Sequence, residues 1–274
     1  MGWRGRIYRR SKPRSRSTAL EEVTVLALEP IENRVYKKVL VQASYHANLL
    51  AVHKAPEICQ EWLSRSEREM FPQWSVGPSI VELKNDRVYR KFYVAAKSSG
   101  ASWENLLPGE LKHQLQLAGN FLADLGNAVP GLQAVRFGVR FFYLLRCGDF
   151  DELRRALLHK CTRWESFAAG FEASDADVSV SWQFDADGAR VNATVGPVKQ
   201  DELDRFFDSA SPDAVPGENA EQFLPKAALL FDGDYGVRDQ PVANCRRIIA
   251  DAQKVLDGKF ECFVRLLRQI ADKE

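Results

Sequence analysis

From Val135 to Arg146 the chain alternates with period two. Val135, Phe137, Val139, Phe141 and Tyr143 fall on one side, and Arg136, Gly138, Arg140 and Phe142 on the other. Side chains of a strand alternate across the sheet, so this segment predicts a long strand with one apolar face. A second segment makes the same demand. Val178, Val180, Trp182 and Phe184 alternate with polar residues, Asp185 to Gly188 turns the chain, and Val191, Ala193 and Val195 return it. Asp-x-Asp-Gly between two alternating runs is a hairpin signal.

Further elements follow from the same rules. Val23 to Leu28 and Val35 to Val41 read as strands, with Glu32-Asn33 turning between them. Ile80 to Leu83 and Val88 to Val94 flank a turn at Lys84 to Arg87. Glu57 to Met70 has helical spacing through Ile58, Trp62 and Leu63. Trp103 to Asn127 reads as a helix with Leu107, Leu111, Leu115, Ala118, Leu122 and Leu125 on one face, ended by Pro130-Gly131. Asp149 caps a helix through Leu153, Leu157 and Leu158. Asp201 to Phe207 forms a short helix before a polar loop over 208–220, and Ala227 to Tyr235 forms a strand. Pro241 opens a helix to about Ile270. Its stripe is Val242, Cys245, Ile249, Ala252, Leu256, Phe260, Phe263, Leu267 and Ile270.

Strands that neighbour their sequence partners through short turns, without βαβ alternation, predict an α+β fold. Antiparallel sheets covered by helices are expected, in two similar halves over 20–165 and 166–274, with a long amphipathic C-terminal helix. That helix is expected to cover the chain's own sheet. Residues 1–19 are set apart from this body. They carry Arg4, Arg6, Arg9, Arg10, Lys12, Arg14 and Arg16 and no acid, whereas the whole chain carries only +1. The arm is expected to be disordered, and its arginines point to a polyanion such as nucleic acid.

Composition bounds the class. Hydrophobic residues at 45% and charged residues at 27% are ordinary for a folded soluble protein. No apolar run is long enough to cross a bilayer, and no apolar stretch follows the basic arm as a secretory signal would require. Five scattered cysteines, none in a Cys-x-x-Cys pair, predict reduced thiols, a cytoplasmic setting and no zinc site.

Candidate chemistry is sparse. Glu82 and Lys84 have the Glu-x-Lys spacing of metal-dependent nucleases, in which a carboxylate holds a cation beside a lysine. That class needs an upstream Asp, and none precedes residue 86. A strand with outward charges is the favoured explanation. Asp232-Gly-Asp234 places two acids on one strand face, as Arg136 and Arg140 do on theirs. Paired acids can hold a metal, but ion pairs between the two strands are the stronger expectation. Gly138 and Gly233 imply close approach by a ligand or a neighbouring strand. Asp185 and Asp187 are explained by the turn, and His46, His53, His113 and His159 are dispersed. No metal site, cofactor or nucleophile is nominated.

Three motifs resemble a sporadically distributed, uncharacterised bacterial family of about this length. They are an aromatic strand, Phe92-Tyr93-Val94, before Trp103; Arg136-Phe-Gly-Val-Arg140; and Asp232-Gly-Asp234 before a long helix carrying Phe260. The similarity covers about 20–270. Phe141-Phe142 stands where that family continues with Tyr and a polar residue. The resemblance implies the patchy distribution of genomic islands and defence loci, with no known enzymatic activity. The expectation is therefore a non-enzymatic interaction protein, an accessory subunit of a bacterial assembly, in an anti-phage setting. A second protein subunit is its expected partner, with a further copy of the chain as another. The alternative is nucleic-acid binding or metal-dependent nucleic-acid processing, with the arm contacting phosphates and Glu82 and Lys84, or Asp232 and Asp234, as the site.

Overall fold

The computed structural model describes residues 27–64, 71–86, 88–161, 177–186, 188–206 and 223–271. The basic arm, the start of the strand expected at Val23, and the loop over 208–220 lie outside them. Among the described residues nine strands form one sheet: β1 (Val35–Ser44), β2 (Gln73–Val76), β3 (Ile80–Asn85), β4 (Arg90–Ala95), β5 (Ser98–Leu106), β6 (Gln133–Arg146), β7 (Val180–Ala186), β8 (Ala189–Lys199) and β9 (Ala227–Pro241). Their order is β2-β3-β4-β5-β1-β6-β9-β8-β7, and each neighbouring pair is antiparallel. Among the described residues five helices accompany them: α1 (Leu49–Ser64), α2 (Pro108–Ala128), α3 (Phe150–Cys161), α4 (Gln200–Phe206) and α5 (Cys245–Ala271).

The fold is α+β, as the short connections require. Separate sheets in the two halves are corrected to one. β6 from the first part of the chain pairs with β9 from the second over most of both strands. Six strands precede residue 166 and three follow it.

The helix expected to begin at Trp103 also needs correction. Trp103 is fully buried in β5 and pairs with Val39. Pro108 supplies the helix start, where its missing N–H is harmless, and the residue before a proline favours extended backbone. Ser98, Ser99 and Gly100 hid the strand, because they carry no apolar alternation. Gly100 is there for proximity: a Cβ would stand 2.3 Å from the Val41 carbonyl oxygen of β1. Helix α1 begins earlier than the Glu57 expected. Asn48 caps it, its Oδ1 accepting from Ala51 N at 3.0 Å, and Pro56 lies inside it. The strand β2, which had no signal in the sequence, is a short edge strand.

Helices α1, α2, α3 and α5 pack on one face of the sheet. The long helix α5 lies against β6 and β9, with Cys245, Ala252, Leu256, Phe260 and Val264 fully buried. Phe263, expected in the stripe, is only half-buried and stacks on Trp182 at 5.5 Å. The opposite face has one small apolar patch, where Leu203 of α4 and Phe223 meet Val35, Phe142, Leu144 and Ala228. The rest of that face, which no other described residues cover, carries the charged row of β6. Among the described residues, no helix is long and apolar enough to cross a membrane.

Candidate functional site on the uncovered sheet face

Strands β1, β6, β9 and β8 lie side by side, so alternate residues of each build a grid on the uncovered face. In one row Gln42, Gly138, Gly236 and Arg190 are opposite one another. In the next stand Leu40, Arg140, Asp234 and Asn192. Beyond them Phe142, Asp232 and Thr194 continue, and on the other side Arg136 faces Arg238.

The four charged residues named from the sequence are joined here. Arg140 donates from Nε to Asp232 Oδ1 at 2.7 Å and from Nη2 to Oδ2 at 2.5 Å. Arg136 Nη2 donates to both oxygens of Asp234, at 2.8 and 2.7 Å. Neither arginine pairs with the residue directly across from it. Arg140 passes over Asp234 to Asp232, and Arg136 passes over Arg238 to Asp234. The hydrogen bond to Asp232, ahead of any other influence, holds the Arg140 guanidinium still more firmly protonated than usual. That guanidinium also lies 4.7 Å over the Phe142 ring.

The glycines explain how Arg136 reaches so far. A Cβ on Gly138 would stand 2.8 Å from Arg136 Nη1, and one on Gly236 would stand 3.3 Å from its Nε. The arginine therefore lies flat over a row of bare backbone. Gly233 serves the other face, where a Cβ would stand 2.5 Å from Phe231 and 3.0 Å from Leu256. Sequence proximity alone grouped Gly233 with the charges.

Polar residues extend the ladder. Asn192 Nδ2 donates to Asp234 Oδ2 at 3.3 Å. Gln183 donates to Asn192 and accepts from Arg190. Ser181 and Thr194 share a hydrogen bond of 2.9 Å. The arginine side chains of the two ion pairs remain 47% and 43% exposed. Such exposed pairs contribute little stability, of the order of 0–1 kcal/mol each. What they supply is fixed position for charged groups on an accessible face. Two adjoining depressions of about 340 and 350 Å³ meet at Arg136, Asn192 and Asp234.

Glu82 pairs with Lys91, and Lys84 with Asp86 at 3.1 Å, so both charges of the Glu-x-Lys segment are engaged locally. His46, His53 and His113 are exposed. Among the described residues no group of three or more His, Cys, Asp or Glu could hold a metal ion. The seven basic residues from Arg4 to Arg16 lie outside the described residues. The five cysteines are free, with Cys59, Cys147 and Cys245 buried and Cys161 and Cys262 exposed.

One cluster on the helical face escaped the sequence. Tyr36 and Tyr143 both donate to Asp257 Oδ1 of α5, at 3.0 and 2.9 Å. Arg34 Nη2 stands 3.8 Å from the same carboxylate. Burial, reinforced by Asp257, raises both phenols above their ordinary range, which keeps them protonated as donors. An acid beside Leu256 and one turn from Phe260 in an apolar stripe was the available signal. A second missed group is Lys37, fully buried at an irregularity in the β1–β6 register. It donates to Asn105 Oδ1 at 3.0 Å, and Asn105 has a left-handed backbone with φ 55°.

Compared with protein-family models, with curated proteins and with solved structures, the chain finds no match. The uncovered sheet face is therefore characterised by its geometry alone. It is polar, ion-paired and accessible, and it can order hydrogen bonds and charges against a flat or extended ligand.

Proposed function

We propose that this chain is a non-enzymatic interaction protein, an accessory subunit of a larger bacterial assembly, whose partner docks on the uncovered face of the sheet. One observation carries the reading. Helices cover one face, while the other presents Arg136, Arg140, Asp232, Asp234 and Asn192 in a fixed, accessible array. Side chains already held by ion pairs lose little further freedom on binding, which favours recognition by this face. The motif resemblance adds an anti-phage setting, and the unpaired thiols fit a reduced, cytoplasmic one.

The test is quantitative co-purification from the native host with Thr194→Arg, which sets a large side chain on an exposed position of this face. Lys112→Glu on α2, exposed on the helical side, is the control. A partner held at fixed stoichiometry by the wild type and by Lys112→Glu, and lost from Thr194→Arg, supports the reading. A partner set unchanged by Thr194→Arg overturns it.

A second reading is favoured by the arm alone. Seven basic side chains and no acid in nineteen residues suit nucleic-acid phosphates. Binding to single and double strands that falls steeply with salt, and disappears on deletion of residues 2–17, would favour it. Metal-dependent cleavage would extend it to processing.

A further inference from the structure

The uncovered face ends in a corner with more guanidinium than carboxylate. Arg136 of β6 and Arg238 of β9 face each other directly, and Arg190 of β8 faces Gly236 in the next row. Like charges directly opposite one another destabilise a sheet. The cost is lowered here because Arg136 turns away to Asp234 over the two glycines. Arg238 is then left facing a guanidinium that already has its acid. Among the described residues neither Arg238 nor Arg190 is ion-paired. Arg190 donates one hydrogen bond, to Gln183, and the Arg238 guanidinium donates none. Both side chains are exposed. With Asp185, Asp234 and Asn192 they and Arg136 line a depression of about 350 Å³.

We propose that this corner holds a single carboxylate, an Asp or Glu side chain on an extended acidic segment of a protein partner. The assignment rests on the interaction reading above and supplies its ligand chemistry. Among the described lining residues, three arginines stand against Asp185 and Asp234, an excess of one positive charge that one carboxylate neutralises. A phosphate group carries about −1.5 to −2 and would overcompensate it. Asp185 and Asp234 also line the depression and would repel the successive charges of a nucleic-acid backbone. A guanidinium presents its donors as a planar fork that matches the two oxygens of a carboxylate. Arg238 and Arg190 both have free donors for it.

The test is a titration of the full chain with a peptide of alternating Glu and Gly, followed through the arginine Nε–H resonances. A Gln–Gly peptide of the same length is the control. The Glu–Gly peptide is expected to shift Arg190 and Arg238 and to leave Arg246 and Arg247, exposed on α5, unmoved. Arg238→Ala is expected to weaken binding roughly tenfold or more, the range for a hydrogen bond to a charged group, with an unchanged unfolding transition. No shift, or an equal shift with Gln–Gly, overturns the proposal. So does a single-stranded DNA of similar length that binds more tightly and depends on Arg238, because the corner is then a phosphate site. If the peptide fails while Thr194→Arg still releases a co-purifying partner, the carboxylate assignment falls and the interaction reading stands. If the peptide binds while Thr194→Arg releases nothing, the reverse holds.

Discussion

The rings of Tyr143 on β6 and Phe260 on α5 stack with centroids 4.8 Å apart and planes 16° from parallel. Both side chains are fully buried. This contact seats the longest helix on the chain's own sheet, and it sits beside the Asp257 carboxylate that receives two tyrosine hydroxyls. The helical face is thus where stability resides, and the uncovered face is where charge is displayed.

Phe260→Ala is expected to lower stability by about 3–5 kcal/mol, the usual cost of removing a buried aromatic. Chemical denaturation of the variant checks the size of the loss, and light scattering checks that the mass is unchanged. A variant of wild-type stability and altered mass would make α5 an interface instead.

Asp257→Ala is expected to cost more than Tyr36→Phe or Tyr143→Phe. Removing the acceptor strands two donors, each at roughly 1–3 kcal/mol, whereas removing one hydroxyl leaves the carboxylate with its other partners. A double-mutant cycle between Asp257 and Tyr143 should show the double variant costing less than the sum of the two single variants, by a coupling of about 0.5–3 kcal/mol. Additive changes would mean that the short distances carry no energy.

Substituting alanine for glycine should separate the two faces. At Gly138 the added Cβ meets the end of the flexible Arg136 side chain, which can move aside at a cost on the order of 1 kcal/mol or less. At Gly233 it meets Phe231 and Leu256 in the core, and overpacking there costs about 1–3 kcal/mol. At Gly100 it meets backbone of β1, which cannot move without parting the strands. The expected order of thermal stability is Gly138→Ala, then Gly233→Ala, then Gly100→Ala.

Stability should fall on the alkaline side. Burial pushes the Cys59 and Cys147 thiols up to about 12 and Cys245 up to about 11, from an ordinary value of 9.0. Between pH 9 and 11 the unfolded chain releases these protons and the folded chain keeps them. The unfolded state then binds fewer protons, so unfolding becomes more favourable as pH rises. Denaturation midpoints should decline from pH 9 upward, and less steeply in a Cys59→Ala, Cys245→Ala double variant when each is compared with its own value at pH 7. Alkylation at pH 8 should label the exposed Cys262 and Cys161 and spare the other three until the chain unfolds. Labelling of Cys245 in the native protein would contradict its burial.

What depends on near neighbours was legible in the chain before it folded. The β7–β8 hairpin follows from alternation on both sides of a turn whose Gly188 has φ 80°. The two faces of β6 follow from period two, and the stripe of α5 from steps of three and four. Once Arg136, Gly138 and Arg140 share one face, Asp232 and Asp234 on a similar strand are readable as their counterparts. Which strands become neighbours is set only when whole faces pack. Placing β9 beside β6, and β5 beside β1, joins residues far apart in the chain, and no local period encodes that pairing. The same packing also decided that Trp103 lies in a strand, because Ser-Ser-Gly has no apolar rhythm and only the approach of β1 shows why a glycine stands there. The Tyr36–Asp257–Tyr143 cluster and the Arg136–Arg238 opposition belong to the same class. Each arises where register between distant segments brings groups face to face, and register is set by how whole faces pack rather than by any residue in it.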